Sequence, residues 1–245
     1  MKIIFCRHAE PDYEHDSITD KGKIEAELLA RRLCRIDIDE IYVSPLGRAR
    51  RTAEYTLEKT GKTAETFKWL REFDGKVKEN GEIKGCWDKL PEYWTTQDEY
   101  YSADKWLTTP LMKSGTAKRE YEFVCNGIDK FLAEHGYKRN GRYYDVTNSN
   151  HKTIVFFCHF GVECAILSRI FGVSPMPLWH NFVALPSSVT TIVSEERVKG
   201  KAQFRCMEFG DTSHLYAAGE EPSFAARFCE CFEDDTRHSS PSHLK

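Results

Sequence analysis

Two histidines in the sequence each directly follow a short apolar run. His8 comes after Arg7 and the run KIIFC at 2–6, and His159 comes after the run TIVFFC at 153–158. Both runs are typical of buried parallel strands, and chemical groups collect where such strands end at the carboxyl edge of a sheet. A single histidine after a strand is usually an ordinary loop residue. Two that share one edge predict a catalytic site, because a neutral imidazole can act as a nucleophile.

An arginine-rich segment lies between the two histidines, with the sequence SPLGRARRTA at 44–53. Arg48 would lie on the first turn of a helix that follows a predicted strand. Guanidinium groups bind phosphate through paired hydrogen bonds, so Arg48 is a candidate phosphate ligand. Arg50 and Arg51 fit a solvated helix face instead, and the pattern alone leaves both roles open for Arg48.

The elements that must position these residues alternate between strand and helix. Apolar runs and helical spacing predict strands at 2–6, 38–43, 153–158, 188–194 and 202–209, and helices at 19–34, 46–57, 120–135 and 162–171. This alternation predicts an α/β fold of three layers, in which a mostly parallel open sheet carries helices on both faces.

Residues 75–115 depart from this alternation. The segment mixes charges, glycines and prolines with six aromatic residues, which are Trp87, Tyr93, Trp94, Tyr100, Tyr101 and Trp106. We interpret it as an inserted lid within a single domain spanning 1–245. Its aromatic residues are expected mainly to form a second small core, and some of them to line the pocket.

The composition disfavours several classes of partner. A formal net charge of -3 gives no basic footprint for nucleic acid or for an anionic membrane surface. No apolar stretch approaches the length of about 20 residues that a membrane span requires. The sequence starts without the features of a signal peptide, so we expect a soluble cytoplasmic protein whose nine cysteines are mainly buried thiols.

Five motifs together resemble the histidine phosphatase superfamily, also called the phosphoglycerate mutase-like family, across most of the chain. RHAE at 7–10 is similar to the family's Arg-His-Gly-Glu, and TDKG at 19–22 is similar to its Thr-x-x-Gly. SPLGRA at 44–49 is similar to its second arginine motif. LRE at 70–72 is similar to its Leu-x-Glu, and HFG at 159–161 is similar to its His-Gly-Gly. The combination is more specific than any one of these motifs.

This resemblance implies a role for each of five residues. His8 would be the nucleophile that forms a phosphohistidine, Arg7, Arg48 and a protonated His159 would form the phosphate pocket, and Glu72 would be the proton donor. The positive groups would neutralise the phosphoryl group in transfer. Glu72 would protonate the leaving alkoxide and later deprotonate water. The resemblance implies neither a metal nor another cofactor.

The proton donor has rivals in the sequence. Glu10, Asp74 and Glu163 are further carboxylates close to the proposed site segments, and a structural or solvated role for Glu72 also fits the pattern.

Three positions depart from the family pattern. Ala9 and Phe160 stand where glycines are usual, and Glu14 stands where many members have a phosphate-contacting asparagine. These departures predict a tighter or more apolar pocket and altered substrate binding.

Three functions are compatible with these residues. The first is a phosphomonoesterase that acts on a small phosphorylated metabolite. The second is a phosphoglycerate mutase, although REFDG at 71–75 differs from the Asn-Glu-Arg-His-Tyr-Gly that usually surrounds the acid of mutases. The third is a catalytically silent phosphate-binding module, which the departures at Phe160 and Glu14 would suit.

The end of the sequence contains Cys229, Cys231, His238 and His243. Their spacing does not match familiar structural zinc motifs, and the segment is polar. We therefore predict a flexible tail after Pro222 and no metal site.

Overall fold

Twelve strands and eight α-helices are present within the residues that this computed structural model describes, which are 1–225, 227 and 233. The strands are β1 (Lys2–Arg7), β2 (Pro11–Asp12), β3 (Ser17–Ile18), β4 (Glu40–Val43), β5 (Glu65–Thr66), β6 (Lys76–Glu79), β7 (Glu82–Gly85), β8 (Tyr137–Asn140), β9 (Tyr143–Val146), β10 (Thr153–Cys158), β11 (Val189–Val198) and β12 (Lys201–Asp211). The helices are α1 (Asp20–Leu33), α2 (Gly47–Thr60), α3 (Pro91–Trp94), α4 (Pro110–Lys113), α5 (Ala117–Glu134), α6 (Phe160–Phe171), α7 (Pro175–Asn181) and α8 (Ser213–Tyr216).

Eight strands form one open sheet in the order β5-β4-β10-β1-β11-β12-β9-β8. The strands β5, β4, β10 and β1 pair in parallel, and those from β11 to β8 pair antiparallel. The predicted α/β class is confirmed, but parallel pairing covers half of the sheet rather than most of it. The reason is that β8–β9 and β11–β12 are hairpins, which connect their strands without a crossover helix.

Alternate residues of the central strands supply two cores on opposite faces of the sheet. On β1, Ile3 and Phe5 join the core under α5 and α6, whereas Ile4 and Cys6 join the core under α1 and α2. Successive side chains of a strand point to opposite faces, so one apolar run serves both cores. The predicted three layers with helices on both faces are therefore confirmed.

The helices that flank the site begin close to their predicted starts. The Thr19 side chain caps α1 by accepting the N–H of Gly22. Helix α6 begins at Phe160, directly after the extended residue His159, two residues earlier than the apolar pattern predicts. Its first turn therefore lies at the carboxyl edge of β10.

The segment 75–115 contains the β6–β7 hairpin and the short helices α3 and α4. Trp94, Tyr100 and Trp106 are buried in the same core as residues of β1. The expectation that these aromatics form core is confirmed, although the core they join is the main one. Tyr101 is half exposed.

The start of the predicted tail is ordered. Ser223 is buried, and its N–H and hydroxyl donate to Glu25 and Glu10 respectively. The prediction of a flexible tail after Pro222 is thus wrong for Ser223. Cys229, Cys231, His238 and His243 lie outside the described residues. Among the helices that the structure describes, none combines the length and the apolarity needed to cross a bilayer.

Candidate active site

The register of two parallel strands brings the predicted histidines together. Arg7 at the end of β1 lies opposite Cys158 at the end of β10, and the His8 N–H donates to the Cys158 carbonyl at 3.0 Å. The imidazole rings of His8 and His159 consequently lie side by side, with centroids 5.0 Å apart. Both side chains are buried.

The ring of His8 is fixed by its neighbour in sequence. Its Nδ1 lies 2.8 Å from the carbonyl oxygen of Ala9. A carbonyl can only accept a hydrogen bond, so Nδ1 carries the proton and Nε2 keeps its lone pair. Burial, with smaller contributions from Arg7 and Arg48, lowers the pKa of His8 well below its usual range. The side chain is therefore neutral, as a nucleophilic imidazole must be.

The ring of His159 is held by Ser44, the first residue after β4. The distance from His159 Nε2 to Ser44 Oγ is 2.8 Å, and Nδ1 is buried without a hydrogen-bond partner among the described residues. Burial lowers the pKa of His159 well below its usual range, with smaller contributions from His8 and the two arginines. In the unliganded protein His159 is therefore neutral, whereas the protonated His159 of the sequence analysis belongs to the phosphate-bound state and stays a prediction. A bound phosphate would raise the pKa of His159 again, since a nearby negative charge favours the imidazolium.

The two predicted arginines lie around these rings. Arg7 is buried, donates from Nη1 to the Ala184 carbonyl and lies with its guanidinium carbon 5.8 Å from the centre of the Phe160 ring. Phe160 thus packs on an arginine of the site. Arg48 lies in the first turn of α2, and its Nε is buried without a partner among the described residues. Buried donors rarely lack partners, so Arg48 Nε suits an acceptor oxygen of a bound anion, and His159 Nδ1 suits another oxygen when it carries a proton.

A residue that the sequence analysis missed, Asp16, orients Arg48. Its carboxylate accepts the Nη1–H of Arg48 at 2.7 Å and the N–H of Gly47 at 2.6 Å. The backbone of Asp16 is in the left-handed region, with φ at 44°. Glu14, which stands at the family's asparagine position, is exposed instead. No sequence motif predicts the role of Asp16, because its contact with Arg48 depends on the path of the loop between β2 and β3.

Glu72 reaches the same edge from the segment after β5. Its Oε1 accepts the N–H groups of Phe73 at 2.8 Å and Val162 at 3.1 Å, so the carboxyl group lies at the start of α6. Burial raises the pKa of Glu72, and the two N–H groups and the arginines oppose that rise. A Cβ atom at Gly161 would lie 2.7 Å from Glu72 Oε1. Glycine at 161 is therefore what lets the carboxyl group approach.

The other candidate proton donors, Glu10, Asp74 and Glu163, lie in surroundings that differ from those of Glu72. Asp74 is exposed and pairs with Lys76, and both oxygens of Glu10 accept hydroxyl groups, from Thr19 and Ser223. Glu163 is buried in the first turn of α6, where burial raises its pKa to about 7. Among the described residues, no group of three or more His, Cys, Asp or Glu side chains is arranged to hold a metal ion.

Fold and site together define a class of protein. It is an α/β protein that gathers two neutral histidines, two arginines and the partly buried carboxyl group of Glu72 at the carboxyl edge of its sheet. The sequence model of the histidine phosphatase superfamily (branch 1) matches residues 3–115. The matched part contains Arg7, His8, Arg48 and Glu72.

Known relatives cover most of the chain at low identity. Phosphoserine phosphatase 1 of Hydrogenobacter thermophilus is 26% identical over 208 residues, which are 80% of this chain and 88% of that protein. The structure of a phosphoserine phosphatase mutant from Entamoeba histolytica in complex with phosphoserine has a TM-score of 0.57 and 20% identity, covering 87% of this chain and 98% of that one. A mycobacterial glucosyl-3-phosphoglycerate phosphatase has a TM-score of 0.58 and 14% identity, covering 86% and 99%. These solved structures share the fold.

Proposed function

We propose that the protein is a phosphomonoesterase that hydrolyses a small phosphorylated metabolite through a phosphohistidine on His8. One observation carries the proposal. The Ala9 carbonyl fixes a neutral His8 with Nε2 as its nucleophilic nitrogen, beside two buried nitrogens, Arg48 Nε and His159 Nδ1, that have no hydrogen-bond partner among the described residues. A nucleophile and preorganised donors for phosphoryl oxygens are what transfer of a phosphoryl group requires.

The reaction would proceed in two balanced steps. First, His8 Nε2 attacks phosphorus, the bond from phosphorus to the alkoxide breaks, and protonated Glu72 gives its proton to the leaving oxygen. Water then attacks the phosphohistidine while the Glu72 carboxylate takes a proton from it. The N–P bond breaks, inorganic phosphate leaves, and both side chains return to their starting forms. The raised pKa of Glu72 supports its role as donor.

The unliganded charge state favours binding of a phosphate dianion. The arginines are the positive groups, and both histidines are neutral because of burial. None of these steps uses a metal, so we propose a metal-independent enzyme. Phe160 and Glu14 do not favour a catalytically silent phosphate-binding module, because neither residue displaces His8, His159 or an arginine from the site.

The first test is hydrolysis of p-nitrophenyl phosphate in excess EDTA by the wild type, His8→Ala and His151→Ala. His151 is exposed and is the matched control. We expect turnover by the wild type and by His151→Ala, and none by His8→Ala. Acid-labile phosphate trapped on His8 after rapid quenching would identify the intermediate. Full loss of wild-type turnover in EDTA, or unchanged turnover by His8→Ala, would overturn the proposal.

The substrate screen begins with phosphoserine and phosphoglycerates, because the similar proteins are phosphoserine phosphatases and a glucosyl-3-phosphoglycerate phosphatase. Interconversion of 2- and 3-phosphoglycerate without release of phosphate would indicate a mutase instead. Tight binding of phosphate without a phosphohistidine would indicate a silent module.

A further inference from the structure

A buried carboxyl group on α1 is connected to the nucleophile through one peptide group. Glu25 is fully buried, and its Oε2 accepts the N–H of Glu10 at 2.8 Å. That N–H belongs to the same peptide group as the Ala9 carbonyl, which accepts Nδ1–H of His8 at 2.8 Å. Two hydrogen bonds in series therefore run from Glu25 to the imidazole.

A peptide group transmits such a contact because its N–H and C=O share resonance. An acceptor at the N–H makes the carbonyl oxygen a stronger acceptor, and hydrogen bonds in series polarise one another. The contact also fixes the plane of the peptide, since any rotation would weaken both bonds. The Ala9 N–H, which donates to Thr52 Oγ1 at 3.0 Å, holds the preceding peptide group.

We propose that Glu25 is a positioning residue for His8, a role that rests on the proposed function. It holds the Ala9 carbonyl where that carbonyl selects the tautomer with the lone pair on Nε2. When His8 carries the phosphoryl group, its ring becomes positively charged and Nδ1–H becomes a stronger donor. The stiffened, polarised carbonyl then stabilises the intermediate without touching the substrate.

This role requires an acceptor at position 25 rather than a charge. Burial raises the pKa of Glu25, and the carboxyl group accepts the Glu10 N–H in either protonation state. Its second oxygen, Oε1, accepts the Ser223 N–H at 2.9 Å. Glutamine would preserve the bond to Glu10 and lose the bond to Ser223. Methionine, of similar length, would lose both.

The experiment compares Glu25→Gln and Glu25→Met with wild type, and uses Glu27→Met as a control on the same helix. Glu27 is partly exposed and pairs with Arg31 and Lys59, away from His8. Glu25→Met should lower kcat for p-nitrophenyl phosphate by about 10- to 100-fold, as expected when the buried N–H of Glu10 is left without an acceptor. KM should change by less than about threefold, because the phosphate ligands remain, and Glu25→Gln should keep most of the activity.

A second readout does not depend on turnover. Nitrogen-15 NMR of the His8 ring should show the proton on Nδ1 in the wild type and in Glu25→Gln, and a mixture of tautomers in Glu25→Met. Should Glu25→Met fail to fold, Glu25→Asp serves in its place, since the shorter side chain withdraws the acceptor from Glu10.

The two proposals fail in different ways. Unchanged kcat and an unchanged tautomer in a folded Glu25→Met or Glu25→Asp variant would overturn the positioning role while leaving the phosphohistidine mechanism intact. If the wild type is inactive but Glu25→Met still changes the tautomer of His8, the proposed function is overturned and the positioning role of Glu25 stands.

Discussion

Glu72 is the residue whose role depends most on the leaving group. Desolvation raises the pKa of the Glu72 carboxyl group, and a raised pKa favours the protonated form that can give a proton to a leaving alkoxide. Glu72→Gln should lower kcat/KM for an alkyl phosphate by about 10²- to 10⁴-fold, the usual contribution of general acid catalysis. The loss for p-nitrophenyl phosphate should be much smaller, because nitrophenolate leaves without protonation.

The measurement is the ratio of kcat/KM for the two esters in the wild type and in Glu72→Gln. Asp74→Asn is the matched control, as Asp74 is exposed and pairs with Lys76. An equal loss on both esters would show that Glu72 supports the pocket rather than donating a proton.

The site residues that could be predicted from the sequence lie after strand ends, whereas those that were missed are placed by a loop or act through the backbone. His8, His159 and Arg48 could be predicted because each follows the end of a strand, and strand ends share one edge. Asp16 and Glu25 could not be predicted from spacing. Asp16 reaches Arg48 through a loop, and Glu25 acts through a backbone N–H that the sequence does not display.

The first turn of α6 leaves no room for a side chain at Gly161. The backbone at Gly161 approaches Glu72 so closely that a methyl group would displace the carboxyl group. We expect Gly161→Ala to reduce turnover of alkyl phosphates in the same way as Glu72→Gln, with a smaller effect on p-nitrophenyl phosphate.

Gly85→Ala at the end of β7 is the matched control for this substitution. A Cβ atom there would meet nothing closer than Trp87 Nε1 at 4.0 Å. Steady-state kinetics on both esters, with thermal melts to verify folding, make the comparison. Wild-type turnover of alkyl phosphates by Gly161→Ala would contradict the close approach.

Elements with strong local signals were predicted from the sequence. The strand β10 was found at its observed limits because it is continuously apolar, and α1 was found because Thr19 caps it. The β8–β9 hairpin and α7 were missed. Both carry polar or interrupted sequences, and packing against the finished domain rather than local periodicity determines them.

Glu163 links the site region to the stability of the whole molecule. Burial raises its pKa from 4.5 to about 7, so the folded protein takes up a proton there that the unfolded chain does not bind between these pH values. Its contribution to the free energy of unfolding is therefore most favourable at low pH and is lost as the pH rises from 4.5 through 7. Glu163→Gln, which resembles the protonated form, should remove this loss.

Urea unfolding of wild type and Glu163→Gln at pH 5 and pH 8.5 tests the expectation. The stabilisation by Glu163→Gln should be greater at pH 8.5, by at most about 3 kcal/mol for a shift of this size. Glu58→Gln on exposed surface controls for the change in net charge. A stabilisation that does not depend on pH would contradict the raised pKa.

The position of β1 has a consequence for biosynthesis. Its neighbours in the sheet, β10 and β11, begin at residues 153 and 189, so β1 leaves the ribosome long before either strand that pairs with it. A nascent chain thus contains the nucleophile, both arginines and Glu72 well before it contains the strands that align them. The central sheet can form on the ribosome only after β10 has been synthesised, and the apolar run at 2–6 needs protection from aggregation during that interval.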